Sequence, residues 1–165
     1  MKNKNTIDTK DFTDLSDAPR KGRMIALDLG KKRVGVAVCD EFQITTRRLK
    51  TIKRRSWKKL LKEIIAHFEE FNAKALVIGL PYNFDGTESA MSGEARHLAR
   101  NFSLSLDIPV YLQDERTTTY EARSNLWRRG LNNNEISKVL DSEAAAIILS
   151  DFIELRKSIT KKPPD

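Results

Sequence analysis

The chain has 165 residues, a formal net charge of +7 and 39% hydrophobic residues, enough for one domain with a real core and too few for two comfortable ones. No apolar stretch approaches the length that crosses a bilayer, and the opening "MKNKNTIDTKDFTDLSDAPRKGR" is too polar for a secretory signal. The expectation is a soluble, cytoplasmic protein in which the single cysteine, Cys39, forms no internal disulfide and serves as small core filler.

Residues 1–23 read as a disordered N-terminal extension, 24–156 as the folded domain, and 157–165, ending "KKPPD", as a flexible tail. Met24 to Leu29 and Val34 to Cys39 are apolar runs joined by the hairpin-length connection "GKKR", which predicts two antiparallel strands. Asp28 stands out in the first run, because aspartate is depleted in strands and an unpaired buried carboxylate is disfavoured. "ITTRRLKTI", Ile44 to Ile52, supplies a third, more exposed strand.

Arg47 to Lys59, "RRLKTIKRRSWKK", carries eight basic residues and no acid, more than the whole charge surplus. Such a concentration is the footprint of a polyanion binder and makes Arg47, Arg48, Arg54 and Arg55 candidates for holding a nucleic-acid backbone. A solvated strand end and helix start is the plain alternative. From Ser56 the period changes: Trp57, Leu60, Leu61, Ile64, Ile65, Phe68 and Phe71 form one apolar stripe, so a helix is predicted there. Trp57 belongs to that stripe and is read as packing rather than base stacking, and His67, off the stripe, as a surface residue.

"ALVIGLP", Ala75 to Pro81, suits a strand buried on both faces. Asn83 to Gly86 makes a turn, and Met91, Ala95, Leu98, Ala99 and Phe102 mark a second helix. "IPVYLQ", Ile108 to Gln113, is the next strand, left by "DER", Asp114 to Arg116. Thr118 and Glu121 have capping-box spacing for a helix that ends at Arg128 to Gly130. "NNNE" reads as a polar loop, and a last helix starts near Asp141, with Ala144, Ala145, Ile148, Leu149 and Phe152 on the face of that residue. A meander followed by alternating helices and strands predicts an α/β fold with a mixed five-stranded sheet and helices on both faces. Ligands in such sheets sit beyond the carboxyl ends of strands, which puts Asp28 at the lip of a site if its strand is central.

Asp28, Glu115 and Asp141 could then meet at one edge. Clustered anions repel unless protonated or neutralised, and Mg2+ or Mn2+ is the economical neutraliser; two such ions support phosphodiester cleavage. Each acid has a structural alternative: a turn cap for Asp28, a surface ion pair with Arg116 for Glu115, an N-cap for Asp141. Asp85 is a rival third acid and Asp114 a weaker one.

"IALDLGKKRVGVAVCD", "VIGLPYNFDGTES", "DERTTTYEA" and "DSEAAAIIL" resemble, in order and spacing, the signature blocks of the YqgF or RuvX family from about Met24 to Glu154. That family is described as pre-16S ribosomal RNA nucleases or Holliday junction resolvases. The resemblance implies a ribonuclease H-like fold and metal-dependent cleavage by acids at Asp28, Glu115 and Asp141. It also implies that Asn83, Asp85 and Gly86 shape the site rim and that Arg33, Arg116 and Thr118 face phosphate. Lys138 looks like a family lysine in reach of the scissile backbone; Thr117 departs from the family's usual apolar residue.

The leading expectation is a nuclease trimming the 5′ side of pre-16S rRNA, its partner structured RNA or pre-ribosomal particles, as a monomer or weak homodimer with no membrane contact. A resolvase of branched, four-way DNA is the second nuclease reading, and a non-catalytic RNA-binding module a reading of another class. "DLGKKRVGV" also resembles the phosphate-binding hairpin of actin-like ATPases, but those enzymes close two such domains on ATP.

Overall fold

The computed structural model describes residues 15–83, 85–115 and 124–160, with the side chains of 15, 137–142 and 160 outside that description. Six strands form one sheet: Met24–Leu29 (β1), Arg33–Cys39 (β2), Thr46–Arg48 (β3), Ile52–Lys53 (β4), Ala75–Leu80 (β5) and Val110–Asp114 (β6). β1 is central in the order β3-β2-β1-β5-β6, with β4 also paired to β2. β1, β5 and β6 are parallel, and β2 runs antiparallel to β1, β3 and β4. The five predicted strand positions are present, but the third is broken in two.

The break is a slip of register. Leu49 N donates to Val36 O, whereas Ile52 pairs with Val34, so three steps on the outer strand match two on β2. One extra residue is accommodated near Lys50 as a bulge, which restores the apolar side chain at Ile52 to the core face. Alternation in composition alone does not reveal such an insertion.

Side chains alternate across the sheet. Ile25, Leu27, Val34, Val36, Leu76, Ile78 and Leu112 join a core completed by Trp57–Phe71 (α1) and Ala90–Ser105 (α2). Met24, Ala26, Cys39, Val77 and Tyr111 meet Ile148, Leu149, Phe152 and Ile153 of Asn133–Thr160 (α3) on the opposite face. Helices therefore cover both faces. Trp57 packs edge-on against Phe102 at 4.7 Å between ring centroids. Cys39 is buried core filler whose sulfur accepts from Met24 N at 3.1 Å, and burial pushes its thiol pKa up.

The caps explain where helices begin. Ser56 accepts from Lys59 N ahead of α1, and Ser89 and Ser92 form a capping box ahead of α2. Asn132 Oδ1 accepts from Glu135 N at 2.9 Å while Glu135 Oε2 accepts from Asn132 N at 2.8 Å. The stretch expected to be a loop is thus a reciprocal cap, and α3 starts at Asn133, eight residues before Asp141. Its first turns carry only one buried apolar side chain among the described residues, Ile136, so periodicity there is faint. Residues 124–128, ahead of it, are helical; the predicted cap at Thr118 and Glu121 lies outside the described residues.

The described residues extend past both expected domain boundaries. From Leu15 the chain packs on the domain: Leu15–Asp17 forms a 3-10 turn and Ala18 is buried beside α3. Gln43, held at φ 57°, donates to Pro19 O at 2.9 Å and Gly22 O at 3.1 Å, and accepts from the buried Arg156 at 2.6 Å. α3 continues to Thr160, past the expected boundary at 157.

Candidate active site

Asp28 occupies the α3-facing series of β1, opposite Gly35 of β2. Ile78 lies beside Leu27, which brings Gly79 alongside Asp28. β6 extends the same parallel edge, with Gly79 opposite Gln113 and Leu80 opposite Asp114, and Glu115 N donates to Leu80 O at 3.2 Å just beyond it. Two acids far apart in the chain thus reach the carboxyl ends of β1 and β6, the parallel strands on either side of β5, where α/β sheets commonly bind ligands.

There the Asp28 carboxyl acts on that of Glu115 by its charge and by a side-chain hydrogen bond, both of which favour a protonated Glu115. Two carboxyl groups can make that bond only if one keeps its proton, because a carboxylate pair offers acceptors alone. Burial pushes the Glu115 pKa up to about 9, reinforced by the Asp28 charge, by the hydrogen bond to Asp28 and by the charge of Asp114. Glu115 Oε2 is buried with no hydrogen-bond partner; Arg116, the partner in its structural alternative, lies outside the described residues.

Gly79 makes this placement possible. A Cβ there would collide with Glu115 Oε2 and come within 2.5 Å of Ile148 Cδ1; glycine in a buried strand marks such close approaches. In the sequence the signal for this approach is the glycine in "VIGLP". Ile148 also locates α3 over the site, and position 141 precedes it by two turns on the same helix. The Asp141 side chain is outside the described residues.

The donor set suits a hard cation, which would replace the shared proton and bind the orphaned oxygen. Among the described residues no third acid joins Asp28 and Glu115 in a metal-sized group. Asp85 instead accepts from Thr87 N at 2.9 Å and Thr87 Oγ1 at 2.6 Å, interactions that hold its carboxyl below the usual range. Asn83 Nδ2 donates to that hydroxyl at 3.0 Å, and Gly86, at φ 84°, donates to Asn83 O at 2.9 Å. These three residues build a tight turn.

The sequence profile of the RuvX family, described as Holliday junction resolvase, matches residues 22–155. The chain belongs to the RuvX family. It is 37% identical over 134 residues to a protein of Anaeromyxobacter sp. (strain Fw109-5) named "Putative pre-16S rRNA nuclease", covering 81% of this chain and 98% of that one. A protein of the same name from Synechococcus elongatus is 35% identical over 130 residues, 79% of this chain and 87% of that one. Solved structures with the same fold include T. thermophilus RuvC in complex with a Holliday junction substrate, with TM-score 0.52 and 16% identity over 83% of this chain and 96% of that one. The yeast mitochondrial Holliday junction resolvase Ydc2 aligns with TM-score 0.50 and 13% identity over 88% and 84%. These likenesses make the sheet ribonuclease H-like.

In this RuvX-family chain the basic residues divide between faces. Arg33 starts β2 in the series of Gly35, on the Asp28 face, and is exposed. Arg48 bonds Glu143 of α3 at 3.1 Å, whereas Arg47 lies over the Phe71 ring of α1 at 5.5 Å. Arg54 donates to Gly30 O at 2.9 Å and pairs with Glu94 of α2, making it a strut between the β1–β2 hairpin and that helix. Arg55 is exposed beyond β4. Arg116 and Thr118 lie outside the described residues; Lys138 falls within α3, its side chain outside them.

Proposed function

We propose that this protein is a metal-dependent nuclease, and that its substrate is the 5′ region of precursor 16S ribosomal RNA. The observation carrying this reading is the Asp28–Glu115 pair, two carboxyl groups held in hydrogen-bond contact over Gly79 with one buried oxygen unmatched. Family membership and the names of the relatives above supply the nucleic-acid substrate.

In this reading Asp28 and Glu115 hold Mg2+ or Mn2+, with Asp141 as a third ligand carried by α3. A cation held there would supply Lewis-acid chemistry, activating a water and offsetting charge on the leaving oxygen. The chain's own part is positioning: β1 and β6 fix the two carboxyl groups, Gly79 admits them, and Ile148 shields one side from water. Arg33 and the exposed basic residues of β3 and β4, with Arg116, Thr118 and Lys138, draw in the phosphate backbone, so binding weakens steeply with salt. Among the described residues no helix is long and apolar enough to cross a membrane, in keeping with a cytoplasmic processing enzyme.

The test is cleavage of a precursor 16S fragment, with either cation, by wild type and Asp28→Asn. Loss of at least a hundredfold in the variant is expected; equal rates would end the proposal. The family description also favours four-way DNA as a second substrate, which requires two sites acting together. Junction cleavage by a species that sediments as a dimer would support it, and a strict monomer with and without junction would oppose it. Tight RNA binding indifferent to metal and to Asp28→Asn would identify a non-catalytic binding module instead.

A further inference from the structure

A groove of about 450 Å³ opens between β4 and α1, away from the acid pair. Its strand wall carries Lys50, Lys53 and Arg55, and its helix wall carries Glu63, His67 and Glu70 with the small Ala66 between them. We propose that this groove is a nucleotide pocket that receives one base of the substrate strand, guanine in preference to the others, on a track leading to Asp28. The proposal rests on the nuclease reading for the identity of the strand but not for the existence of the pocket.

Three observations support it. First, the groove lies beside the bulge near Lys50, which breaks the outer strand into β3 and β4; bulges recur beside functional sites, where they redirect side chains. Second, the two walls differ in sign. Glu63, His67 and Glu70 fall at i, i+4 and i+7 on α1, one stripe of the helix. Three cations facing two carboxylates and an imidazole match a ligand with an anionic end and an end rich in N–H donors. A nucleotide has that polarity, and among the bases guanine offers adjacent N1–H and N2–H groups to a carboxylate. Third, His67 Nδ1 is buried without a hydrogen-bond partner, its nearest acid, Glu70, lying at 3.7 Å, too far for a hydrogen bond. The ring stacks on Phe71 with centroids 6.2 Å apart. This residue, read from sequence as ordinary surface, is half-buried and lines the groove.

The track follows from register. Lys53 pairs with Arg33 across the β4–β2 ladder, and Gly35, two residues along β2, lies opposite Asp28. α1 covers the sheet face opposite Asp28, so the track passes round the outer edge at β4, where Lys53 pairs with Arg33 on the Asp28 face. Two strand spacings and two residues then separate Lys53 from Asp28, about 12 Å between backbones, within the span of a few nucleotides. Arg33 stands between as a phosphate contact.

The experiment uses the full chain with Asp28→Asn, so that binding is read without cleavage. Single-stranded RNAs of equal length, with one guanine moved along a uridine background, are titrated by fluorescence anisotropy. Photo-crosslinking with 6-thioguanosine at the preferred position follows. At least fivefold tighter binding for guanine at one position is expected, with crosslinks mapping to residues 50–70. The double variant Glu63→Gln, Glu70→Gln should erase the guanine preference while its melting temperature stays that of the parent. Equal binding of all bases, crosslinks elsewhere, or a guanine preference that survives the double variant would overturn the pocket. Guanosine monophosphate binding as tightly as the oligonucleotide would overturn the substrate-strand assignment in favour of a free nucleotide. Wild-type cleavage of precursor RNA is scored separately, so a failed pocket and a failed nuclease reading give different results.

Discussion

Replacing Glu115 by glutamine should stabilise the metal-free protein. The folded Glu115 pKa of about 9 stands against an ordinary value of 4.5, chiefly because of burial. Between those two pH values the folded state retains a proton that the unfolded state releases, so stability declines as pH rises, by about 1.4 kcal/mol per unit. At pH 7 the difference is on the order of 3 kcal/mol, and below pH 4.5 it vanishes. Glutamine keeps the shape, donates an N–H towards Asp28 in place of the proton, and does not titrate. Urea unfolding in EDTA from pH 4 to 8 is the assay. The wild-type curve should fall away from the Glu115→Gln curve as pH increases and meet it near pH 4. Adding Mg2+ or Mn2+ should reverse the order by stabilising wild type in proportion to ligand occupancy, and the variant far less. Parallel pH curves for the two proteins, or a variant less stable throughout, would show that Glu115 is not held protonated beside Asp28.

Other substitutions separate the site from its scaffold. Gly79→Ala should cost about 1–3 kcal/mol in a melting experiment and abolish cleavage, because the new methyl group meets Glu115 and Ile148; Gly93→Ala, on an open helix face, should instead stabilise by up to about 1 kcal/mol. Arg54→Ala should cost about 1–3 kcal/mol, because Glu94 and the Gly30 carbonyl lose their partner, with little change in the salt dependence of RNA binding. Arg33→Ala should do the converse, lowering affinity and reducing the slope of log affinity against log salt by about one. Asn132→Ala should lower stability by about 1 kcal/mol through loss of the α3 cap, measured by thermal unfolding.

Local chemistry alone was enough to read the strands of the central sheet, the apolar stripes of α1 and α2, the packing role of Trp57 and the oddity of Asp28, because each is written in residues close together in the chain. The start of α3 was missed because a reciprocal Asn132–Glu135 cap looks like a polar loop until its hydrogen bonds are seen. The divided duties of Arg47, Arg48 and Arg54 were likewise invisible: neighbours in one basic run point to opposite faces of a sheet, and one of them braces a helix 40 residues away.

Composition and periodicity determined that this chain makes an α/β domain with an acid set into its central strand. Only the tertiary structure decided which acid meets it, because the Asp28–Glu115 contact depends on parallel register across β1, β5 and β6 and on the missing side chain at Gly79. Such contacts arise from long-range pairing and desolvation, which act between residues that no local pattern connects.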